Sequence, residues 1–289
     1  MTKQYLTLII YSIVLFSNNI YSKEVIEQSC DEIKPEKKSQ AQYKINYKNG
    51  DFKALICLGK IHLKNKKYNE AIDYFAYAEK RAQSNNDKII ANLLHGVVLR
   101  ESNRPEEALE YLNIKMREVG EIKAYKRLFL NEMAENFFLL QRYDDAVNSI
   151  LNAYDLAGND DERAFNLDRA AASYASLKNF NKAIEYELKA NLAYERLSLF
   201  NEYAESGINL ASYYLESNDL PAAERTLSKF EKFTRDNGGM YYLAKVLYVG
   251  SLFYKKNLNT NLSKAKLDEA NKIASEIGAE DLKVLFRGS

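Results

Sequence analysis

The chain has 289 residues, 46% of them hydrophobic and 28% charged, a composition that excludes a disordered chain and supplies a large core. With only 11 glycines and 3 prolines, it lacks the many turn residues of a sheet protein, so long helices with short connections are expected. The 41 Lys and Arg residues nearly balance 40 Asp and Glu residues, which argues against nucleic acid as a partner.

The N-terminus has the pattern of a secretory signal peptide. Lys3 precedes an apolar stretch from Leu6 to Phe16, and the small residue Ser22 stands at the expected cleavage point. An uncleaved anchor or a buried helix is the alternative, but a stretch of 11 residues is too short to cross a hydrocarbon core of roughly 30 Å. We therefore predict an exported protein, periplasmic or secreted, whose mature chain begins at Lys23 and contains no membrane span.

A pair of small residues recurs along the chain, and the two members of each pair are always 12 positions apart. The second helices of the predicted hairpins carry alanines that lie 37, 38, 37 and 40 residues apart: Ala71, Ala108, Ala146, Ala183 and Ala223. Another small residue stands 12 positions before each alanine: Gly59, Gly96, Ala134, Ala171 and Ala211. Small side chains at both positions let two antiparallel helices approach closely, and the constant interval predicts a constant turn geometry.

Larger side chains at fixed offsets are expected to fill the seam between the two helices. Three positions after the first small residue stand His62, Leu99, Phe137, Tyr174 and Tyr214. Four positions after the alanine stand Phe75, Leu112, Ile150, Glu187 and Leu227. We also expect Tyr68 and Tyr143 to belong to the core, together with Tyr174 and Tyr214.

This pattern resembles the tetratricopeptide repeat family. The best-matching unit runs through Leu58, Gly59, Ala71, Phe75 and Ala78, with His62 where the family has tyrosine. The resemblance covers roughly residues 51–278 and implies an all-α, right-handed solenoid of about five to six helix hairpins. The longer period and the missing closing proline imply longer helices and a modified superhelix. Such a motif specifies a fold and not a function.

The C-terminal part is predicted to hold a sixth, degenerate hairpin, with helices near Met240–Lys256 and Leu262–Ile277, followed by a cap at Asp281–Arg287. A repeat array needs an atypical last unit to close its core. The predicted organisation is a signal peptide (1–22), an N-terminal capping segment (23–50), the repeats (51–278) and a C-terminal cap or tail (279–289).

The two cysteines, Cys30 and Cys57, are predicted to form a disulfide in an exported protein. Cys57 stands where later repeats have Glu132, Arg169 and Asn209, so this face is expected to be covered only where an N-terminal segment packs on it. A bridge would attach that segment to the first hairpin and stabilise the fold by roughly 3 kcal/mol. Two unrelated thiols are the alternative.

If the family geometry holds, the first helix of each hairpin lines a concave surface, and residues three before and one after each small residue point into it. The predicted partner-binding residues are Lys53, Ile56, Lys60, Leu93, Val97, Asn131, Glu135 and Asp168. Such a groove is basic and apolar at its start and acidic in its middle, which suits an extended peptide of mixed character. Ordinary solvated charge is the alternative.

Catalytic motifs are absent from the sequence: it has no Gly-rich phosphate loop, His-Glu-x-x-His or Gly-x-Ser-x-Gly pattern. Only two histidines occur, His62 and His95, and both are expected to pack on helix faces. We predict no catalytic residue, metal or cofactor, and a non-catalytic scaffold that binds a protein or peptide partner. The alternative is a ligand- or peptide-sensing regulatory protein that signals through a separate membrane partner. The oligomeric state is left open.

Overall fold

The computed structural model describes residues 51–120 and 122–287, and all regular structure in these ranges is α-helical. The helices are α1 (Phe52–Lys64), α2 (Tyr68–Arg81), α3 (Asn85–Glu101), α4 (Pro105–Glu118), α5 (Lys123–Leu139), α6 (Tyr143–Asp155), α7 (Asp160–Ser176), α8 (Phe180–Arg196), α9 (Phe200–Glu216), α10 (Leu220–Asp236), α11 (Met240–Lys256), α12 (Thr260–Glu276) and α13 (Glu280–Arg287). Among them, none combines the length and apolar character that a membrane crossing needs. The predicted signal peptide and N-terminal capping segment lie outside the described residues and stay predictions.

Successive helices pack in pairs as the repeat spacing predicts: α1 with α2, α3 with α4, α5 with α6, α7 with α8, α9 with α10 and α11 with α12. The sixth hairpin is therefore present, and its helices lie within two residues of the predicted bounds. The short helix α13 packs against α11 and α12, as expected for a C-terminal cap.

The described residues form two compact units, 51–157 with α1–α6 and 158–287 with α7–α13. Each unit has its own hydrophobic core. Phe75 and Phe129 are fully buried in the first unit, and Phe230 and Leu247 are buried in the second. In the second unit the ring of Phe286 from α13 stacks on Tyr248, with the ring centroids 4.8 Å apart, so the cap closes the apolar end of that unit.

The turn inside each hairpin has one recurring geometry, which confirms the expectation from the constant 12-residue interval. Two residues before each second helix, the backbone enters the left-handed region, with φ between 57° and 67°, at Lys66, Asn103, Gln141, Lys178, Asn218 and Leu258. None of these is glycine, so each turn costs about 1 kcal/mol of backbone strain. Packing between the two helices of each hairpin must offset that strain.

Local signals fix several helix starts. The Ser84 hydroxyl accepts a hydrogen bond from the amide of Asp87 at 3.1 Å, and Asn159 Oδ1 accepts one from Glu162 at 2.8 Å. Such side chains satisfy amides that have no partner within the helix. Pro105 opens α4, where its missing amide removes no helical bond.

The predicted tyrosine core is only partly correct. Tyr174 is buried, but Tyr68, Tyr143 and Tyr214 are half-buried. Tyr68 and Tyr143 are the first residues of α2 and α6, beside the turn, and each keeps part of its surface exposed there. These tyrosines can bury the ring while the hydroxyl stays in solvent.

Candidate partner-binding surface

Seven of the eight residues predicted to contact a partner lie on three neighbouring helices of the unit 51–157. Helix α1 packs against α3, and α3 packs against α5, so side chains on one face of these helices lie side by side. We call this set the first-helix row: Lys53, Ile56 and Lys60 of α1, Leu93 and Val97 of α3, and Asn131 and Glu135 of α5. The eighth residue, Asp168, lies on α7 in the unit 158–287.

Exposure varies along the first-helix row. Lys53 is exposed and Val97 is half-buried. The remaining members expose between 4% and 9% of their surface: Ile56, Lys60, Leu93, Asn131 and Glu135. Lys53 and Val97 are therefore the members that a partner reaches most directly.

An ion pair that the sequence analysis missed connects α3 and α5. The Nε of the buried Arg100 donates to Glu132 Oε1 at 2.6 Å. Burial by itself would lower the pKa of Arg100, but the nearby carboxylates of Glu132 and Glu135 outweigh it and raise the pKa above its ordinary value, so the guanidinium stays charged. Arg100 lies four residues after Gly96, one turn along the same face, and that spacing is the signal that could have revealed it.

Both histidines pack against tyrosine rings, as predicted. The centroids of the His95 and Tyr111 rings are 4.3 Å apart, and those of His62 and Tyr74 are 5.1 Å apart. Burial lowers the pKa of His95, which favours the neutral imidazole. The Tyr111 hydroxyl donates to Asn92 Oδ1 at 2.8 Å. In the described part of the chain, no group of three or more His, Cys, Asp or Glu side chains could hold a metal ion.

Asp168 belongs to a polar cluster inside the unit 158–287. Asn209 Nδ2 lies 3.5 Å from Asp168 Oδ1, and Glu187 of α8 is fully buried close to Asp168. The Glu187 carboxyl group faces the Asp168 carboxyl group and the Ser206 hydroxyl. Glu205 of α9 forms an ion pair with Lys245 of α11. Residue spacing predicts Asp168 in a groove and Glu187 in a seam, and the structure brings the two carboxyl groups together.

The environment of this acidic pair favours protonation. Burial, with the charge of Glu205, raises the pKa of Asp168 to about 6. Burial and the charge of Asp168 raise the pKa of Glu187 well above its ordinary value. Two carboxyl groups in a poorly solvated site do not both ionise readily, so the pair responds to pH.

Cys57 is fully buried in α1. Its predicted partner, Cys30, lies outside the described residues, and the disulfide stays a prediction.

Comparison with known proteins shows similarity at the level of structure. No protein-family model matches the chain, and no curated protein matches it. A STAND signal-transduction ATPase with a tetratricopeptide repeat sensor from Pyrococcus horikoshii superposes with a TM-score of 0.66 at 18% identity, over 96% of this chain and 43% of the ATPase. Aspartyl phosphate phosphatase F from Bacillus subtilis gives a TM-score of 0.63 at 16% identity, over 94% and 85% of the two chains.

A Rap protein in complex with competence and sporulation factor also matches, with a TM-score of 0.58 at 13% identity, over 99% of this chain and 86% of that one. The fold is of the tetratricopeptide type. At these identities the matches establish the fold alone. Within this tetratricopeptide-type fold, the first-helix row lies on the first helices of the first three hairpins.

Proposed function

We propose that this chain is a non-catalytic scaffold that binds an extended segment of a partner protein along the first-helix row. The observation that carries the proposal is the pair of accessible side chains on adjacent helices of the row: Lys53, exposed on α1, and Val97, half-buried on α3. A segment crossing these helices would place an acidic residue near α1 and an apolar residue near α3.

The structural relatives support a binding role without naming the partner. The matched Rap protein is in complex with competence and sporulation factor, so the fold accommodates a bound factor. The matched phosphatase raises an enzymatic alternative. We propose binding because both histidines of this chain, His62 and His95, pack against tyrosine rings, which leaves them poorly placed for general acid–base catalysis.

A second candidate function is sensing. The repeats of the matched STAND ATPase are described as a sensor, which favours a ligand- or peptide-sensing protein that signals through a separate membrane partner. For either function we propose a site outside the cytoplasm, in the periplasm or secreted. The support is the N-terminal pattern of Lys3, an apolar stretch and Ser22.

The test is affinity capture of the mature chain, residues 23–289, from its own cell envelope after mild crosslinking. The double variant Lys53→Glu/Val97→Asp reverses the exposed charge of the row and places a carboxylate at its apolar centre. We expect recovery of the partner to fall about tenfold, which corresponds to about 1.4 kcal/mol.

Lys80→Glu is the control for the charge reversal, since Lys80 is exposed on the second helix α2 and the substitution makes the same charge reversal as Lys53→Glu away from the row. It should retain the partner. Equal recovery with all three baits would overturn the first-helix row as the binding surface. A protein that captures no partner but shows a thermal shift with a small molecule or peptide would support the sensing function.

A further inference from the structure

The unit 158–287 contains an excess of carboxyl groups where α7, α8 and α9 meet. Asp168 of α7, Glu187 of α8 and Glu205 of α9 lie close enough to influence one another's ionisation. Lys245 of α11 forms an ion pair with Glu205, which neutralises one of the three. Asp168 lies near the guanidinium of Arg169, but burial and the charge of Glu205 outweigh that cation and keep the pKa of Asp168 raised. The nearby positive charges therefore do not balance the three carboxyl groups.

Two buried side chains of α9 have hydrogen-bonding capacity that no described residue uses. The Tyr213 hydroxyl belongs to a residue that exposes 2% of its surface, and it has no hydrogen-bond partner among the described residues. Burial, with the charges of Glu187 and Asp168, raises the pKa of Tyr213 well above its ordinary value, so its hydroxyl lies near the acidic pair. Asn209 directs Nδ2 to Asp168 Oδ1 at 3.5 Å, while its buried Oδ1 has no partner in the same part of the chain. Because buried polar atoms are nearly always hydrogen-bonded, these two atoms indicate a polar ligand beside Asp168.

We call these residues the α7–α9 acidic site: Asp168, Glu187, Glu205, Asn209 and Tyr213. Two of its members are accessible to solvent. Asp168 is half-buried and the Glu205 side chain exposes 21% of its surface, whereas Glu187 is fully buried. Asp168 also lies three residues before the small residue Ala171, the position expected to face the concave surface of the repeats. A ligand that enters from solvent therefore meets Asp168 and Glu205 before it meets Glu187.

We propose that the α7–α9 acidic site binds an alkylammonium group, presented by a protein partner as a lysine side chain. An ammonium group carries one positive charge and three donor hydrogens, and the site offers the Asp168 carboxylate, Asn209 Oδ1 and the Tyr213 oxygen as acceptors. The chain itself shows that an ammonium group can be buried here, because Lys245 exposes 4% of its surface and pairs with Glu205. The α7–α9 acidic site shares no residue with the first-helix row, so either site can fail without the other.

The test is saturation-transfer difference NMR of the purified protein with Nα-acetyl-L-lysinamide, and with N-acetyl-L-norleucinamide as the probe without an ammonium group. We expect saturation of the lysine probe at its Cε protons and little transfer to the norleucine probe. Asp168→Asn removes the charge and keeps the shape, and it should weaken binding of the lysine probe at least about tenfold without lowering the Tm. Glu185→Gln is the matched control, because Glu185 is an exposed carboxylate of α8 outside the site. It should bind the lysine probe as the unmodified protein does.

Three results would overturn the α7–α9 acidic site. They are no transfer to the lysine probe, equal transfer to both probes, and equal binding of the lysine probe by Asp168→Asn and Glu185→Gln. The last would mean that the probe responds only to the net charge of the protein. If Asp168→Asn lowers the Tm, Tyr213→Phe serves as the second variant, because it removes only a hydroxyl that has no partner among the described residues. Tyr213→Phe must then weaken binding of the lysine probe to sustain the proposal.

Discussion

Glu187 occupies the seam position that Phe75 and Leu112 fill in the first two hairpins, and it is fully buried there. Its carboxyl group lies close to Asp168, and burial together with the charge of Asp168 raises its pKa well above the ordinary value. In the unfolded chain both carboxyl groups are solvated and titrate near their usual pKa. The folded protein therefore binds more protons than the unfolded chain above about pH 4.5, and folding stability falls as pH rises.

The substitution Glu187→Gln removes the ionisable group but keeps the size of the side chain and its hydrogen-bonding end. As the pH rises from about 5 to about 8, the free energy of unfolding should fall less for the variant than for the unmodified protein, because glutamine does not ionise in the buried site. At pH 8 its Tm should be higher by about 2–4 °C, equivalent to about 1 kcal/mol for a unit of this size. The measurement is thermal unfolding followed by circular dichroism across this pH range.

Glu185→Gln is the control on the same helix, because Glu185 is exposed and pairs with Lys189 at 2.6 Å. It should leave the shape of the pH profile unchanged. Parallel pH profiles for Glu187→Gln and the unmodified protein would show that Glu187 keeps an ordinary pKa in the folded state.

Packing between the helices predicts how a glycine substitution affects stability. Helices α1 and α11 each carry a buried glycine, but a methyl group at Gly59 would clash with the Phe75 ring at 2.4 Å, whereas one at Gly250 would meet nothing within 4 Å. We expect Gly59→Ala to destabilise the protein by about 1–3 kcal/mol through overpacking. Gly250→Ala should instead stabilise it by up to about 1 kcal/mol, because alanine favours the helix.

The measurement is the change in free energy of unfolding from urea denaturation, and each variant is the other's matched control. Equal effects of the two substitutions would mean that helix propensity alone decides both sites. Residue spacing predicts small residues in the first helices. It does not distinguish a glycine that a side chain packs on from one that no side chain contacts, because the contacting side chain comes from the second helix.

The predicted disulfide between Cys30 and Cys57 would attach the N-terminal segment to the first hairpin. Reduction should lower the free energy of unfolding by about 3 kcal/mol, because the bond restricts the unfolded chain. Intact mass under non-reducing conditions should show no alkylation by iodoacetamide in denaturant, and two alkylated cysteines after reduction. Cys30→Ser and Cys57→Ser should each reproduce the effect of reduction. Two reactive thiols in the denatured, unreduced protein would rule out the bond.

The hairpins, their recurring turns and the capping helix follow from the order of residues along the chain. Helical pitch converts residue spacing directly into a face, so small residues at fixed intervals are enough to predict where two helices touch. The same reasoning identified the members of the first-helix row as neighbours on successive helices.

Which of these side chains are buried, and what they contact, depends on the tertiary structure. The pairing of Glu187 with Asp168, the ion pair of Arg100 and Glu132, and the packing of the Phe75 ring on Gly59 all depend on contacts between separate helices. Those contacts follow from how each helix is rotated about its axis and how closely it approaches its neighbours. Spacing along one helix indicates which face meets a neighbour, but it does not fix the rotation or the distance, because both also depend on side chains distant in the sequence.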